Sequence, residues 1–177
     1  IVRYGYHAPA TPGTVAGLLD AHANFGSLPL EEVLSPVINQ AANGILVSYD
    51  LHKAIESSEQ LKNDPESKKI YFIDDKPLPE NYLMKRPDLA KTIRLISQKG
   101  KDGFYKGEIA DKFIDAMNIN DGLFKHEDLT SYEAKIKLPI IGSYRGNTIL
   151  TAGPPSGGGI TLITALNVLS FFDLKKY

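Results

Sequence analysis

The chain has no cysteine among its 177 residues, which excludes disulfides and thiolate metal sites but leaves the compartment open. It has no surplus of either charge. Its 20 basic and 21 acidic residues are interspersed and give a formal net charge of −1. Such a surface steers neither nucleic acid nor an anionic membrane. A long apolar run is lacking too: the longest, Ile160 to Phe172, is too short to span a bilayer and is broken by Thr, Asn and Ser. No secretory signal, internal repeat or low-complexity tract is visible. What remains is a length that suits one or two domains and can bury about 70% of the unfolded surface. The chain opens on Ile1-Val2 without an initiator Met and stops at Lys175-Lys176-Tyr177, just past a helical run. It therefore reads as a piece of something longer.

Helical periodicity governs the first 132 residues. Thr11 is expected to cap a helix with Pro12 at its first position, followed by the stripe Val15, Leu18, Leu19, His22 and Phe25 and ended by Gly26. A second helix is expected from Pro29 to Asn43, kinked at Pro36, with Gly44 as a left-handed stop. Ser48 reads as the cap of a third, reaching about Lys62. Residues 63–80 are polar and proline-rich and read as a surface excursion around a short strand, Ile70-Tyr71-Phe72. Pro87 opens a further helix closed by Gly100. Another covers Glu108 to Met117, with Glu108 and Lys112 paired one turn apart. Asp121-Gly122 makes a turn before a short helix at Glu127-Asp128-Leu129.

Past Tyr132 the period changes. Lys135-Ile136-Lys137-Leu138 alternates like a strand, and a β-ribbon runs from Leu138 to Leu150 through a tight turn at Arg145-Gly146-Asn147. The loop Gly153-Pro154-Pro155-Ser156-Gly157-Gly158-Gly159 follows, and then a helix whose polar residues are Thr161, Thr164, Asn167 and Ser170. A helix apolar on most sides is expected to be buried on most sides, between layers of a larger body. The fold class is thus mainly α with a small antiparallel β-ribbon. A helical domain occupies 1–132, and the ribbon, Gly-rich loop and buried helix occupy 133–177.

The Gly-rich loop invites an anion-cradle reading, which the known patterns do not support. A Walker loop needs Lys and Ser or Thr where Gly159 and Ile160 stand. A dinucleotide fingerprint from Gly157 needs glycine at Leu162, and a nucleophile elbow centred on Ser156 needs glycine at Pro154. The glycines read instead as a sharp turn that lets the helix pack on the sheet, with Ser156 as its cap. His126-Glu127 begins like a zinc-protease motif, but Thr130 stands where the second His belongs. His7, His22 and His52 have no ligand spacing, and His22 reads as a satisfied, partly buried histidine on a helix stripe. Asp74-Asp75 reads as a solvated turn, and Lys175-Lys176 as positive charge beyond a helix C-terminus. No residue is assigned a catalytic, substrate-binding, cofactor-binding or metal-ligating role.

The strand, Pro-Pro-Ser-Gly-Gly loop and apolar helix resemble the gamma-glutamyltransferases (gamma-glutamyltranspeptidases). So does the upstream stretch Thr11-Pro12-Gly13-Thr14-Val15-Ala16-Gly17. Further family-like stretches, in matching order, are Gly26 to Val33, Gly103-Phe104-Tyr105-Lys106-Gly107-Glu108-Ile109-Ala110, Glu127-Asp128-Leu129 and Leu166 to Asp173. The resemblance covers essentially the whole chain. It implies an α/β sandwich N-terminal nucleophile hydrolase, of which this chain would be the helical part of the large subunit. In that family a precursor cuts itself before a threonine, whose α-amine then serves as base for its own hydroxyl. The threonine attacks a γ-glutamyl amide such as glutathione while a pair of glycine N–H groups holds the oxyanion.

The threonine and its Thr-Thr-His-x-Ser-Val surroundings are not in this sequence, nor is the Asp-x-Arg-Glu stretch that grips the substrate carboxylate; Arg3 lacks the neighbours to take that role. The chain departs from the family in having Ser156-Gly157 where many bacterial members have two serines. It also has Lys125 where a Thr often caps the Glu-Asp-Leu helix. Expected partners are the small subunit cut from the same precursor and a γ-glutamyl small molecule, with no cofactor, nucleic acid or membrane segment. An extracytoplasmic location is suggested by the resemblance alone. Two rivals stand beside this expectation: a relative acting on poly-γ-glutamate or an acyl amide, and a degenerate non-catalytic scaffold binding a partner through residues 63–86.

Overall fold

A computed structural model describes residues 4–176. Arg3 and the Lys175 side chain lie outside the described residues. The chain divides into two compact units, Ile1–Ala134 and Lys135–Tyr177.

The first helix, α1, spans Thr14–Phe25 with Gly13 at its N-cap, so Thr11 is not the cap and Pro12 is not its first residue. The reason is a tyrosine. Tyr105 Oη donates to the Pro12 carbonyl at 2.6 Å and accepts from the Ala16 N–H at 3.1 Å. Those two backbone groups would bond each other if the helix began at Pro12. A hydroxyl inserted between them delays the start. Gly13 is needed beside it for another reason, since a Cβ there would collide with Tyr132 Oη.

Helix α2 spans Leu30–Asn43, with Glu31 and Glu32 in its first turn where the macrodipole favours them. Pro36 lies inside it. Pro36 and Glu32, whose carbonyl loses its helical donor, are both exposed, so water can satisfy that carbonyl. Gly44 stops the helix at φ 106° and ψ 156°, a positive φ that favours glycine but not the left-handed helical stop expected. Strand β1, Ile45–Leu46, leads to α3, Tyr49–Glu56, where Ser48 Oγ accepts from Leu51 N–H at 3.2 Å.

The third helix ends six residues early. Ser58 starts a separate α4, Glu59–Asn63, and Asp64 caps α5, Pro65–Tyr71. Ile70 and Tyr71, expected in a strand, therefore close a helix. Phe72 begins β2, Phe72–Ile73, which pairs with β3, Lys76–Pro77, through Asp74 and Asp75 at φ 49° and 63°. Asp75 forms an ion pair with Lys68, which holds its carboxyl below the usual range. Strand β4, Leu83–Met84, pairs antiparallel with β1.

Helix α6, Pro87–Lys99, packs along α2 and is closed by Gly100 at φ 59°. Next come α7, Asp102–Tyr105, α8, Glu108–Ile119, and α9, His126–Thr130. Glu108 accepts from Lys91 of α6 at 2.6 Å and from Lys112 at 3.0 Å, and both cations hold its carboxyl below the usual range. At α9, Asp128 Oδ2 accepts from Lys125 N–H at 2.8 Å. Lysine has no acceptor to return, so only half of a capping box forms.

In the second unit β5, Ile140–Tyr144, pairs antiparallel with β6, Asn147–Thr151. Arg145 at φ 49° and Gly146 at φ 82° make the two-residue turn, so Asn147 is the first residue of the returning strand rather than part of the turn. Lys135 to Leu138 pairs with nothing among the described residues. Ile136 and Leu138 are 95% and 92% exposed, so alternation there marks no ladder. Helix α10, Gly157–Leu169, lies on the ribbon and is followed by a 3₁₀ turn, Leu174–Lys176.

Candidate functional site

Three of the family-like stretches, Thr11 to Gly17, Gly103 to Ala110 and Glu127 to Leu129, meet in one core of the first unit. Ala16 from α1, Tyr105 from α7, Ala110 and Ile114 from α8 and Leu129 from α9 form a buried cluster, with Phe104, Phe113, Phe124 and Tyr132 against it. Tyr105 stacks on Tyr132 at 5.8 Å between centroids and 13° between planes, and meets Phe104 edge-on at 5.0 Å. Burial raises the Tyr105 hydroxyl above the ordinary tyrosine range, against the opposing hydrogen bond from Ala16. A phenol held neutral and saturated by two backbone partners is a structural joint, not an acid or base. Its role was invisible in sequence, where Tyr105 was one residue of a family-like string. The Gly13 it sits near was the available signal.

The Gly-rich loop occupies the second unit. It borders a groove of about 710 Å³ lined by Lys137, Pro139, Leu150, Pro154 and Ser156 among others. The Pro154–Pro155 peptide is cis, and Lys137 Nζ donates to the Pro154 carbonyl at 3.1 Å. Ser156 holds the N-cap position of α10, yet its hydroxyl accepts no N–H of the first turn. Its backbone N–H donates to Gly153 O at 3.1 Å, so the serine shapes the turn through its main chain. No histidine or carboxylate reaches its hydroxyl among the described residues. The glycines divide in role. A Cβ at Gly159 would collide with the Ala152 carbonyl and stand 2.7 Å from Thr151 Oγ1, so close helix–ribbon packing requires glycine there. Gly157 has open space around it.

Gly142 of β5 makes the other close contact, where a Cβ would come within 2.9 Å of Ile163 Cδ1. Elsewhere α10 is uncovered within this chain, and the expected burial between layers of a larger body is not tested by these residues alone. Gly159 is its buried residue, while Ile160, Leu162 and Val168 are exposed and Phe171, just beyond it, is 87% exposed. Two residues of the polar seam bond their own helix backbone: Thr161 Oγ1 donates to Gly157 O at 3.0 Å and Ser170 Oγ to Asn167 O at 2.6 Å.

The histidines are dispersed. His22 Nε2 lies 2.9 Å from Leu28 O on a half-buried ring, as the helix stripe implied. His52 Nδ1 lies 2.8 Å from Leu78 O, and His126 is 3.6 Å from Asp111 with both side chains more than half exposed. No three His, Cys, Asp or Glu side chains gather as metal ligands among the described residues, and no described helix is long and apolar enough to cross a membrane.

Comparison with known proteins identifies the family. The family profile described as Gamma-glutamyltranspeptidase matches residues 1–177. Over 172 residues the chain is 40% identical to the glutathione hydrolase proenzyme of Escherichia coli K12, covering 96% of this chain and 30% of that protein. It is 36% identical over 171 residues to the acylase ACY 1 proenzyme of a Pseudomonas species (strain SE83), covering 96% of this chain and 31% of that protein. The Helicobacter pylori gamma-glutamyltranspeptidase crystal structure superposes with a TM-score of 0.92 at 37% identity, over 97% of this chain and 50% of that one. The Bacillus anthracis transpeptidase CapD superposes with a TM-score of 0.85 at 29% identity, over 96% and 58%. The chain spans about 30% of the length of the curated relatives it matches. On this evidence the chain belongs to the gamma-glutamyltranspeptidase family.

Proposed function

We propose that this chain is the scaffolding segment of the large subunit of a self-processing gamma-glutamyltransferase. The observation that carries the proposal is the family match over residues 1–177 together with relatives described as proenzymes. In this reading 1–132 forms a helical domain walling the active-site cleft, and 133–177 returns the chain to the central α/β sandwich. The uncovered surface of α10 supports it, because the sandwich would supply the missing layer.

The chemistry of the parent would belong to residues outside this chain. Self-cleavage would free a threonine whose α-amine takes the proton from its hydroxyl. The alkoxide would add to the γ-glutamyl carbonyl, backbone N–H groups would stabilise the oxyanion, and the amine would depart. Water or an amino acid would then take the γ-glutamyl group. This chain's contribution is to position; alone, it is expected to show no turnover.

Intact mass of the full-length parent before and after incubation, beside a γ-glutamyl anilide assay, tests the proposal. Two fragments joined at a new N-terminal threonine, with turnover, would support it. Cleavage without anilide turnover would favour an acyl-amide or poly-γ-glutamate relative, a reading to which the likeness to the acylase ACY 1 proenzyme lends weight. An uncut, inactive parent would point to a degenerate scaffold, and turnover by the 177 residues alone would refute the division of labour.

A further inference from the structure

A cleft of about 530 Å³ opens in the first unit beside the β2–β3 hairpin, β4 and the first residues of α6. That volume is in the range of small-molecule sites. Phe72, Leu78 and Met84 line it with apolar surface, and Leu78 and Met84 belong to the buried core beneath. Its charges sort into satisfied and unsatisfied. Lys69 is paired with Glu66 at 2.5 Å. Arg86, half-buried, has no carboxylate partner among the described residues.

Arg86 is nonetheless held in place. Its backbone N–H donates to Ala41 O at 2.7 Å, its Nη1 donates to the Tyr71 hydroxyl at 3.1 Å, and its guanidinium lies 5.6 Å from the Tyr71 ring centroid. A second hollow of about 200 Å³, lined by Val37, Ala41 and Leu89 among others, borders Arg86 as well. The guanidinium is therefore oriented by a neutral phenol, not neutralised by an acid. A planar five-donor fork with one donor used fits a two-oxygen acceptor. With Glu66 and Lys69 paired, Lys85 and Arg86 against Asp88 leave a single excess positive charge on the wall, which a singly charged ligand matches better than a doubly charged phosphate.

We propose that this cleft binds an organic monocarboxylate with an apolar body. The carboxylate is forked on Arg86 and the body lies against Phe72, Leu78 and Met84. The test uses the full-length parent with two probes, benzoate in calorimetry and 4-bromobenzoate in crystals. Expected are a bromine anomalous peak inside the cleft and, for Arg86→Ala, loss of the peak with roughly tenfold or more weaker benzoate binding. Arg86→Lys, which keeps the charge and loses the fork, should weaken binding nearly as much. Tyr71→Phe, which keeps the ring, should weaken it less. These two variants keep the test decisive if Arg86→Ala does not fold. The proposal is overturned by the absence of bromine beside Arg86, by a peak that persists in Arg86→Ala, or by inorganic phosphate binding at Arg86 as tightly as benzoate. Turnover is not the readout, so failure of the transferase reading would leave this result untouched.

Discussion

At the scale of single residues, the Tyr105 hydroxyl does the work of a missing helical hydrogen bond. Tyr105→Phe leaves the Pro12 carbonyl and Ala16 N–H facing each other without their bridge. The expected loss is about 1–3 kcal/mol, read as a lower denaturant midpoint of the parent and faster deuterium uptake in peptides spanning residues 12–18. Gly13→Ala should destabilise through the clash with Tyr132, even though its backbone φ of −101° is open to alanine. Asp64 is a residue whose contribution depends on pH. The Ser67 N–H bond lowers its pKa first, the Ser67 hydroxyl next, and burial opposes both. A depressed carboxylate stabilises the fold above the free aspartate value of about 4, and that contribution disappears as pH falls through the lower folded value. Asp64→Ala should cost about 1 kcal/mol at neutral pH and flatten the acid limb of a stability profile. An unchanged acid limb in the variant would show that the cap contributes nothing.

At the scale of elements, legibility tracked how local the determining chemistry is. Pro87, Gly100 and Ser48 act on their own neighbours: Pro87 and Gly100 bound α6 as expected, and Ser48 caps α3 although that helix stops at Glu56. Ser58 and Asp64-Pro65 are signals of the same kind, but the β-prone Ile70-Tyr71-Phe72 drew attention away from a helix that ends only at Tyr71. Lys135 to Leu138 failed for the opposite reason. Alternation describes a side-chain pattern, whereas a strand needs a partner, and the partner positions of β6 are filled from Ile140 onward. Helix α10 shows the third case, a surface whose cover, on the proposed reading, lies beyond the chain. Leu162→Lys with Val168→Lys should make the isolated chain less prone to self-association, measured by light scattering, while lowering the yield of soluble parent. If the double variant leaves the parent's yield intact, no protein layer covers that face.

For the whole molecule, the family could be read from ordered fragments because several mark packing needs: three of them meet in the core around Tyr105, and the Gly-rich loop lets α10 close on the ribbon. The site could not be read, because on the proposed reading the reacting groups belong to residues outside this chain. Arg86 is not legible in sequence for a further reason: a guanidinium without a carboxylate partner is defined by what surrounds it in space. The same holds for Tyr105, and here distance along the chain becomes time. Its hydroxyl bonds to Pro12, 93 residues upstream, and at ordinary synthesis rates that stretch takes about 5–20 s to make. Until then, α1 lacks the contact that sets its first turn. Ribosome-arrested chains that end before Tyr105 should be cut by protease near residues 12–18, and chains long enough to expose Tyr105 and α8 outside the tunnel should resist. Equal cutting at both lengths would mean that α1 starts on its own. Otherwise, α1 is finished only after the segment that carries Tyr105 has been translated.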